Sequence, residues 1–403
     1  MSFNPFKEKG IPIENQVTNW SNLNSKPFNK NEVHPYTRCR GILMNGIEVE
    51  AAIFLHQFAR HTNDPDVKKD LALTRRVEQQ QQKAINWLIP GDQSVLETTI
   101  GYEQVAVDLT AWMCQNEPDP YVKQVFDFGL LEDFDHLYRY ANLLEMKQGI
   151  KAEKLVGKYT EIMPGRPTAE EHRHPYDDVR KPGDKKKMSP QTLMNVLTLV
   201  AGEQQTMNFY MNVGNTLEDM IGRGLYLEIG MVEEQHVTQY ESLLDPKASW
   251  FEMLVMHEYN ECYLYHSFME QEVDPAAKQL WQTCLGMELT HFKMACDLMK
   301  KYEKMDAQEM LPAAFPKPIV FQSNVDYVRQ VLANQVELTA QGTDFVPKTK
   351  LAKDSKYPQY QKTVNTGGAP SDQVIMEHVK KQGKDYRYLL KGEHPVERLR
   401  EAA

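Results

Sequence analysis

Long hydrophobic runs are missing from these 403 residues. No stretch of 18 apolar residues occurs and mean hydropathy is −0.58, which excludes a membrane-spanning helix. Basic charge is also short. Lys and Arg number 46 against 56 Asp and Glu, a net charge of −10; such a chain repels phosphate, so no nucleic-acid partner is expected. The five cysteines, at 39, 114, 262, 284 and 296, never fall into a C-x-x-C pair. Zinc-ribbon, rubredoxin-type and thioredoxin-type sites therefore lack their ligands, and the wide spacing fits reduced, buried thiols. The start, MSFNPFKEKG, has no apolar h-region of a secretory signal, so a cytoplasmic location is expected.

Helical periodicity dominates two blocks. Residues 1–40 read as an extended polar arm. Residues 41–146 then carry breaks near Asn63-Asp64-Pro65, Ile89-Pro90-Gly91-Asp92 and Asn116 to Pro120, which leave four helices joined by short turns. Residues 147–189 include MPGRPTAEEHRHPYDDVRKPGDKKKMSP, rich in proline and charge, and read as a linker or wrapping arm. Residues 190–304 give four more helices, with breaks near Gly214-Asn215, Leu244-Asp245-Pro246 and Val273-Asp274-Pro275. Residues 305–403 form a polar extension, with a short helix expected near Val325 to Asn334.

The two blocks superpose at an offset of 155 without a gap. Glu48 falls on Glu203, Glu78 on Glu233, Glu103 on Glu258 and His136 on His291, and the turn around Asp119-Pro120 falls on Asp274-Pro275. Such self-similarity signals a repeated structural unit. A finer step of 55 runs inside each block: Glu203 to Glu258, Glu233 to Glu288, His236 to His291, Glu48 to Glu103 and Glu78 to Asp133. Each block thus reads as two helical hairpins carrying carboxylates at matching heights.

In the second block, lone Glu203 (VAGEQQTMNFY) precedes Glu233-x-x-His236, and lone Glu258 (VMHEYNECYLYHSF) precedes Glu288-x-x-His291. Positions i and i+3 share a helix face, so each Glu-x-x-His can point both side chains into one core. Four carboxylates and two imidazoles suit two divalent cations and leave positions open for O₂ or peroxide. The bland alternative is a set of ordinary exposed glutamates. It is disfavoured because these residues sit among Leu, Val, Met, Phe and Tyr, where an unpartnered carboxylate is costly.

This pattern resembles the ferritin-like superfamily of di-iron carboxylate proteins, over residues 41–146 and 190–304. The resemblance implies an all-α fold of two fused ferritin-like four-helix bundles, with Glu203, Glu233, His236, Glu258, Glu288 and His291 as metal ligands. By analogy with rubrerythrin-like members, Glu261 joins Glu258 as a candidate extra, catalytic carboxylate. A second-shell or surface role for Glu261 fits the sequence equally. The first block departs from the pattern. Glu48, Glu103, Glu78-x-x-Gln81 and Asp133-x-x-His136 form a weaker set, with Gln81 where a histidine belongs. It reads either as a weaker metal site or as a degenerate structural half, with Glu50 and Glu132 as out-of-register neighbours.

The expected function is a non-haem oxidoreductase holding two irons, two manganese ions or a mixed pair. It would react with O₂ or H₂O₂ in the second bundle and take electrons from an unknown donor. A ferroxidase or iron-binding protein, and a helical scaffold with relic sites, are the alternatives. A homo-oligomer is compatible with either. Tyr210, Tyr259, Tyr263 and His257 read as packing or outer residues, His172 and His174 as exposed, and Lys185 to Lys187 as a solvated charge run.

Overall fold

The computed structural model describes residues 3–400. Eight long helices follow the sequence breaks: α1 Pro35–His61, α2 Pro65–Asn86, α3 Val95–Asn116, α4 Pro120–Gln148, α5 Pro190–Val213, α6 Met220–Glu241, α7 Trp250–Gln271 and α8 Pro275–Glu303. The start signals are local. Asp64, Asp119 and Asp274 each accept two backbone N–H bonds ahead of a proline in the first turn. Ser94 with Glu97, and Ser249 with Glu252, close reciprocal capping boxes.

Helix α1 begins earlier than expected, at Pro35. The His34 side chain accepts from Tyr36 N, so the arm ends at a His-Pro start signal. The extension beyond 304 holds more structure than its polar composition suggests. Helix α9, Val325–Gln335, is joined by α10 Tyr357–Val364, α11 Pro370–Gln382 and an antiparallel hairpin of β1 Leu338–Gln341 with β2 Asp344–Pro347. Gly342 turns that hairpin at φ +55°, a left-handed conformation that favours glycine.

The compact units do not follow the sequential blocks 41–146 and 190–304. Among the described residues, unit 1 comprises 3–92, 183–202 and 244–320, and unit 2 comprises 93–182, 203–243 and 321–400. Unit 1 packs hairpin α1–α2 with hairpin α7–α8. Unit 2 packs hairpin α3–α4 with α6 and the second half of α5, under α11. Each core is therefore built from helices drawn from different halves of the sequence. The four-carboxylate sets read along the chain are redistributed accordingly.

The arm and the linker fold as parts of the units. In unit 1, Ile11 N donates to Gly286 O (2.6 Å) and Thr290 Oγ1 to Ile11 O (2.6 Å), laying the arm along α8. In unit 2, Arg166 N donates to Leu131 O (2.9 Å), and Asp135 accepts from Gly165 N (3.0 Å) and Thr168 N (2.7 Å). A Cβ at Gly165 would stand 2.3 Å from Leu131 O, so only glycine lets the linker approach α4 this closely. The linker up to residue 182 thus wraps unit 2, with Arg166, Glu171, Arg173 and Arg180 all buried, and residues 183–189 belong to unit 1.

Candidate metal centres

Unit 1 gathers Glu48 from α1, Glu78 and Gln81 from α2, Glu258 and Glu261 from α7, and Glu288 and His291 from α8, all buried. Glu78, Glu258, Glu288 and His291 each offer a ligand atom within 4.8 Å of the others, as do Glu48, Glu261 and Glu288. Glu288 belongs to both groups. Unit 2 repeats the plan. Asp133, Glu203, Glu233 and His236 form one group and Glu103, His136 and Glu233 the other, with Glu233 common to both. Each unit thus holds two adjacent groups that share a carboxylate and could each hold a cation.

The histidines are oriented from outside. His291 Nδ1 faces Glu288 Oε2 (3.0 Å), and its Nε2 donates to Gln16 Oε1 (2.7 Å) on the arm. Gln16 Nε2 itself donates to Ile11 O (2.7 Å), which sets the amide so that its oxygen accepts. The Nε2 contact is thus a donation to the amide, and Nδ1 is turned inward toward Glu288. His136 faces Glu233 Oε1 with Nδ1 (3.2 Å) and Glu171 Oε2 with Nε2 (2.8 Å). His236 faces Glu233 Oε2 (3.1 Å) and Asp133 Oδ1 (3.3 Å) with Nδ1, and Glu132 Oε2 (3.0 Å) with Nε2. Glu132 is held in turn by Arg166 and by a two-pronged bond from Arg173.

Two tyrosines close the inner surface: Tyr210 donates to Glu103 Oε1 in unit 2 and Tyr265 to Glu48 Oε1 in unit 1. Tyr259 and Tyr263 point elsewhere, donating to Pro312 O (3.1 Å) and Lys317 O (2.6 Å). Helix position alone cannot separate these tyrosines, but a step of 55 from Tyr210 lands on Tyr265.

Burial pushes the carboxyls of Glu48, Glu78, Glu258 and Glu261 well above the usual range, and neighbouring carboxylates push them further. Glu103 and Glu203 are raised in the same way, and Asp133 is raised by burial despite His236. Burial holds Glu171 at about 8 beside His136. Burial would also raise Glu233, but the two histidines outweigh it and bring it to about 2. Burial is likewise outweighed at Glu132, which Arg173, His236 and Arg166 hold far below the usual range. His136 and His236 are raised because the surrounding carboxylates overcome burial. Both clusters thus draw in positive charge.

The donor sets fit divalent cations. Buried atoms without a hydrogen-bond partner include Glu48 Oε2, both oxygens of Glu78, Asp133 Oδ2, Gln81 Oε1, Glu103 Oε2, Glu258 Oε2 and Glu261 Oε2. Orphaned buried acceptors are rare and costly unless something positive meets them. A cation between them would supply that partner.

The sequence-derived ligands are therefore all at the clusters but in new company. Glu203, Glu233 and His236 join Glu103, Asp133 and His136; Glu258, Glu288 and His291 join Glu48, Glu78 and Gln81. The six-residue set assigned to the second block is split between the units, and so is the weaker set. Glu258 and Glu261 stand together in unit 1, apart from Glu203. Glu261 is buried against the cluster, not at the surface, and His172 is buried too. Glu50 pairs with His257 (3.0 Å) and Glu132 with His236, both outside the inner groups.

Sequence reading missed Gln16 and Glu171. The offset of 155 carries Gly10-x-Pro12 and Gln16 onto Gly165-x-Pro167 and Glu171, a signal lying outside the helical periodicity. Comparison with protein-family models, curated proteins and solved structures finds no match for this chain.

Proposed function

We propose that the chain is a ferritin-like non-haem oxidoreductase that holds two irons, or manganese and iron, in unit 2 and reacts there with O₂ or H₂O₂. One observation carries the reading. Six buried side chains from four helices supply four carboxylates and two imidazoles, and each imidazole turns Nδ1 inward while its Nε2 rests on an outer carboxylate. Iron bound there would supply the electrons that reduce O₂ or peroxide.

The chain's own residues do the rest. Glu233 belongs to both groups and ties the two positions together. Glu132, neutralised by Arg166 and Arg173, and Glu171 hold the imidazole rings in orientation. Tyr210 Oη holds a proton against Glu103 Oε1, where it can follow charge arriving on that carboxylate. The rings of Tyr140, Tyr210 and Tyr226 pack with centroids 4.9–5.4 Å apart and keep bulk water from this side.

Metal content of the full chain, measured by elemental mass spectrometry beside a His236→Ala variant, tests the reading together with steady-state H₂O₂ consumption in the presence of a reductant. Iron that is lost with His236, and peroxide turnover lost with it, is the expected result. Fe²⁺ oxidation without reductant-dependent turnover would make the protein a ferroxidase. No bound metal and no turnover in the wild type would leave a helical scaffold.

A further inference from the structure

In unit 2 each of the two inner groups contains an imidazole, His236 in one and His136 in the other. In unit 1 only one does. His291 joins Glu78, Glu258 and Glu288, whereas Glu48, Glu261 and Glu288 form a group of carboxylates alone. The difference comes from two substitutions read through the repeats. Gln81 stands where the offset of 155 places His236 and the step of 55 places His136. Glu261 stands where the same relations place Ala106 and Thr206, neither of which carries a charge. Unit 1 has exchanged an imidazole for a carboxylate.

The carboxylate group is not simply an acidic cluster. Glu48, Glu261 and Glu288 are between 0% and 2% exposed, and Glu48 Oε2 and Glu261 Oε2 meet no hydrogen-bond donor. Gln81 Nε2 donates to Glu288 Oε1 (2.6 Å), and the free Gln81 Oε1 is buried without a partner. Tyr265 already occupies Glu48 Oε1, and the unpartnered atoms of Glu48, Glu261 and Gln81 are all oxygens.

We infer that the Glu48–Glu261–Glu288 position of unit 1 is an all-oxygen cation site that takes Mn²⁺ in preference to Fe²⁺, relative to the imidazole-bearing positions. Hard oxygen donors suit manganese, whereas imidazole adds affinity for iron. Gln81 and Glu261 are then the residues that set metal choice, and unit 1 carries a mixed pair with the manganese at the carboxylate position. This rests on the metal-binding reading above and assigns one metal to one place.

The test loads metal-free full-length protein anaerobically with equal excesses of Fe²⁺ and Mn²⁺, removes free metal, and measures both by elemental mass spectrometry. Bound Mn²⁺ is also followed by electron paramagnetic resonance. The wild type retains both metals. A Gln81→His/Glu261→Ala double variant, which gives unit 1 the residues of unit 2, lowers the Mn to Fe ratio by about tenfold, the scale on which ligand surroundings alter metal affinity. The near-isosteric Glu48→Gln and Glu261→Gln variants lose manganese while keeping iron, and they serve should the double variant fail to fold. An unchanged ratio in all three variants, with total metal retained, overturns the inference and leaves the metal-binding reading standing. No metal retained by the wild type overturns both.

Discussion

Glu132 in unit 2 and Met287 in unit 1 occupy the same place in the offset of 155, yet their surroundings differ in kind. Glu132 anchors His236 and is neutralised by two buried arginines from the linker. Met287 anchors nothing with its side chain; its carbonyl accepts from Gln16 Nε2 at 3.4 Å. Opposite them, Glu171 backs His136 with a carboxylate, whereas Gln16 backs His291 with a neutral amide. Unit 2 has two imidazoles inside an outer ring of charge. Unit 1 has one imidazole, an extra carboxylate and a neutral outer partner. The two units thus gather carboxylate–histidine clusters of different polarity, and the differences lie in a few side chains and the segments that reach them.

Removing Glu132 breaks this comparison most severely. Glu132→Ala strands Arg166, Arg173 and His236 in a buried site, and losing one partner of a buried ion pair costs about 3–5 kcal/mol. Denaturant unfolding should show that loss, and metal retention at the His236 position should fall with it. Met287→Ala in unit 1 exposes no charge and should act only through lost packing. Equal metal loss from the two variants would show that the arginine-braced carboxylate contributes nothing special to unit 2.

The second contrast sets the metal-free chain against the loaded one. Carboxyls raised by burial in both units bind protons that the unfolded chain releases near 4.5, and Glu171 keeps its proton to about 8. The folded chain then holds more protons than the unfolded one, so its stability falls as pH rises from the usual carboxylate range through the raised values. His136 and His236 act in the same direction. Their ion pairs stabilise fully below the ordinary 6.5 and are lost as pH rises through the raised values. Glu132 and Glu233 oppose this only on acidification, because their lowered values make their contribution present above 4.5 and lost below it. The midpoint of thermal unfolding of metal-free protein should therefore drop between about pH 5 and about pH 8. Bound cations take the place of the protons and should flatten that slope. A flat profile without metal would contradict the electrostatics of both centres.

Much of this was legible in the residues. The Asp-Pro starts at 64, 119 and 274 and the Ser–Glu boxes at 94 and 249 set the helix ends by local hydrogen bonds, so the breaks read from the chain coincide with them. Every inner carboxylate and histidine was legible too, because the i, i+3 spacing and its recurrence are properties of single helices. The pairing of hairpins was not. Each hairpin carries half of a ligand set, so any two of them complete a site on paper, and long-range packing decides which two meet. The outer partners Gln16 and Glu171 escaped for a related reason. They lie on extended segments where no period marks a buried face, and only the glycine at 165 and its counterpart Gly10 hint that the chain runs close to a helix.

A third prediction sharpens the likeness between the units. Tyr210→Phe and Tyr265→Phe each leave one carboxylate oxygen, on Glu103 or Glu48, without its donor. Each should cost about 1–3 kcal/mol in metal-free protein. Because the two lie in separate compact units, the double variant should lose the sum to within about 0.5 kcal/mol. Unequal costs would show that the inner tyrosine does different work in the two centres.

The smallest effects belong to the outer pair Gln16 and Glu171, an amide in unit 1 against a carboxylate in unit 2. Gln16→Met removes the acceptor for His291 Nε2, so the ring loses the contact that fixes its tautomer and direction. Metal affinity at the position bearing His291 should fall about tenfold, while the unit 2 centre stays unchanged. Glu171→Gln makes the opposite change, giving His136 an amide partner of the kind His291 already has. The amide oxygen still accepts from Nε2, so ring orientation survives and only the carboxylate's electrostatic contribution is lost. The loss in affinity at unit 2 should then be smaller than that caused by Gln16→Met at unit 1. Site-resolved titration of each variant with Mn²⁺, followed by electron paramagnetic resonance, orders the two effects. If Glu171→Gln proves the more damaging, the charge behind the imidazole matters more than its orientation, and the carboxylate backing accounts for more of the difference between the two centres than the count of histidines.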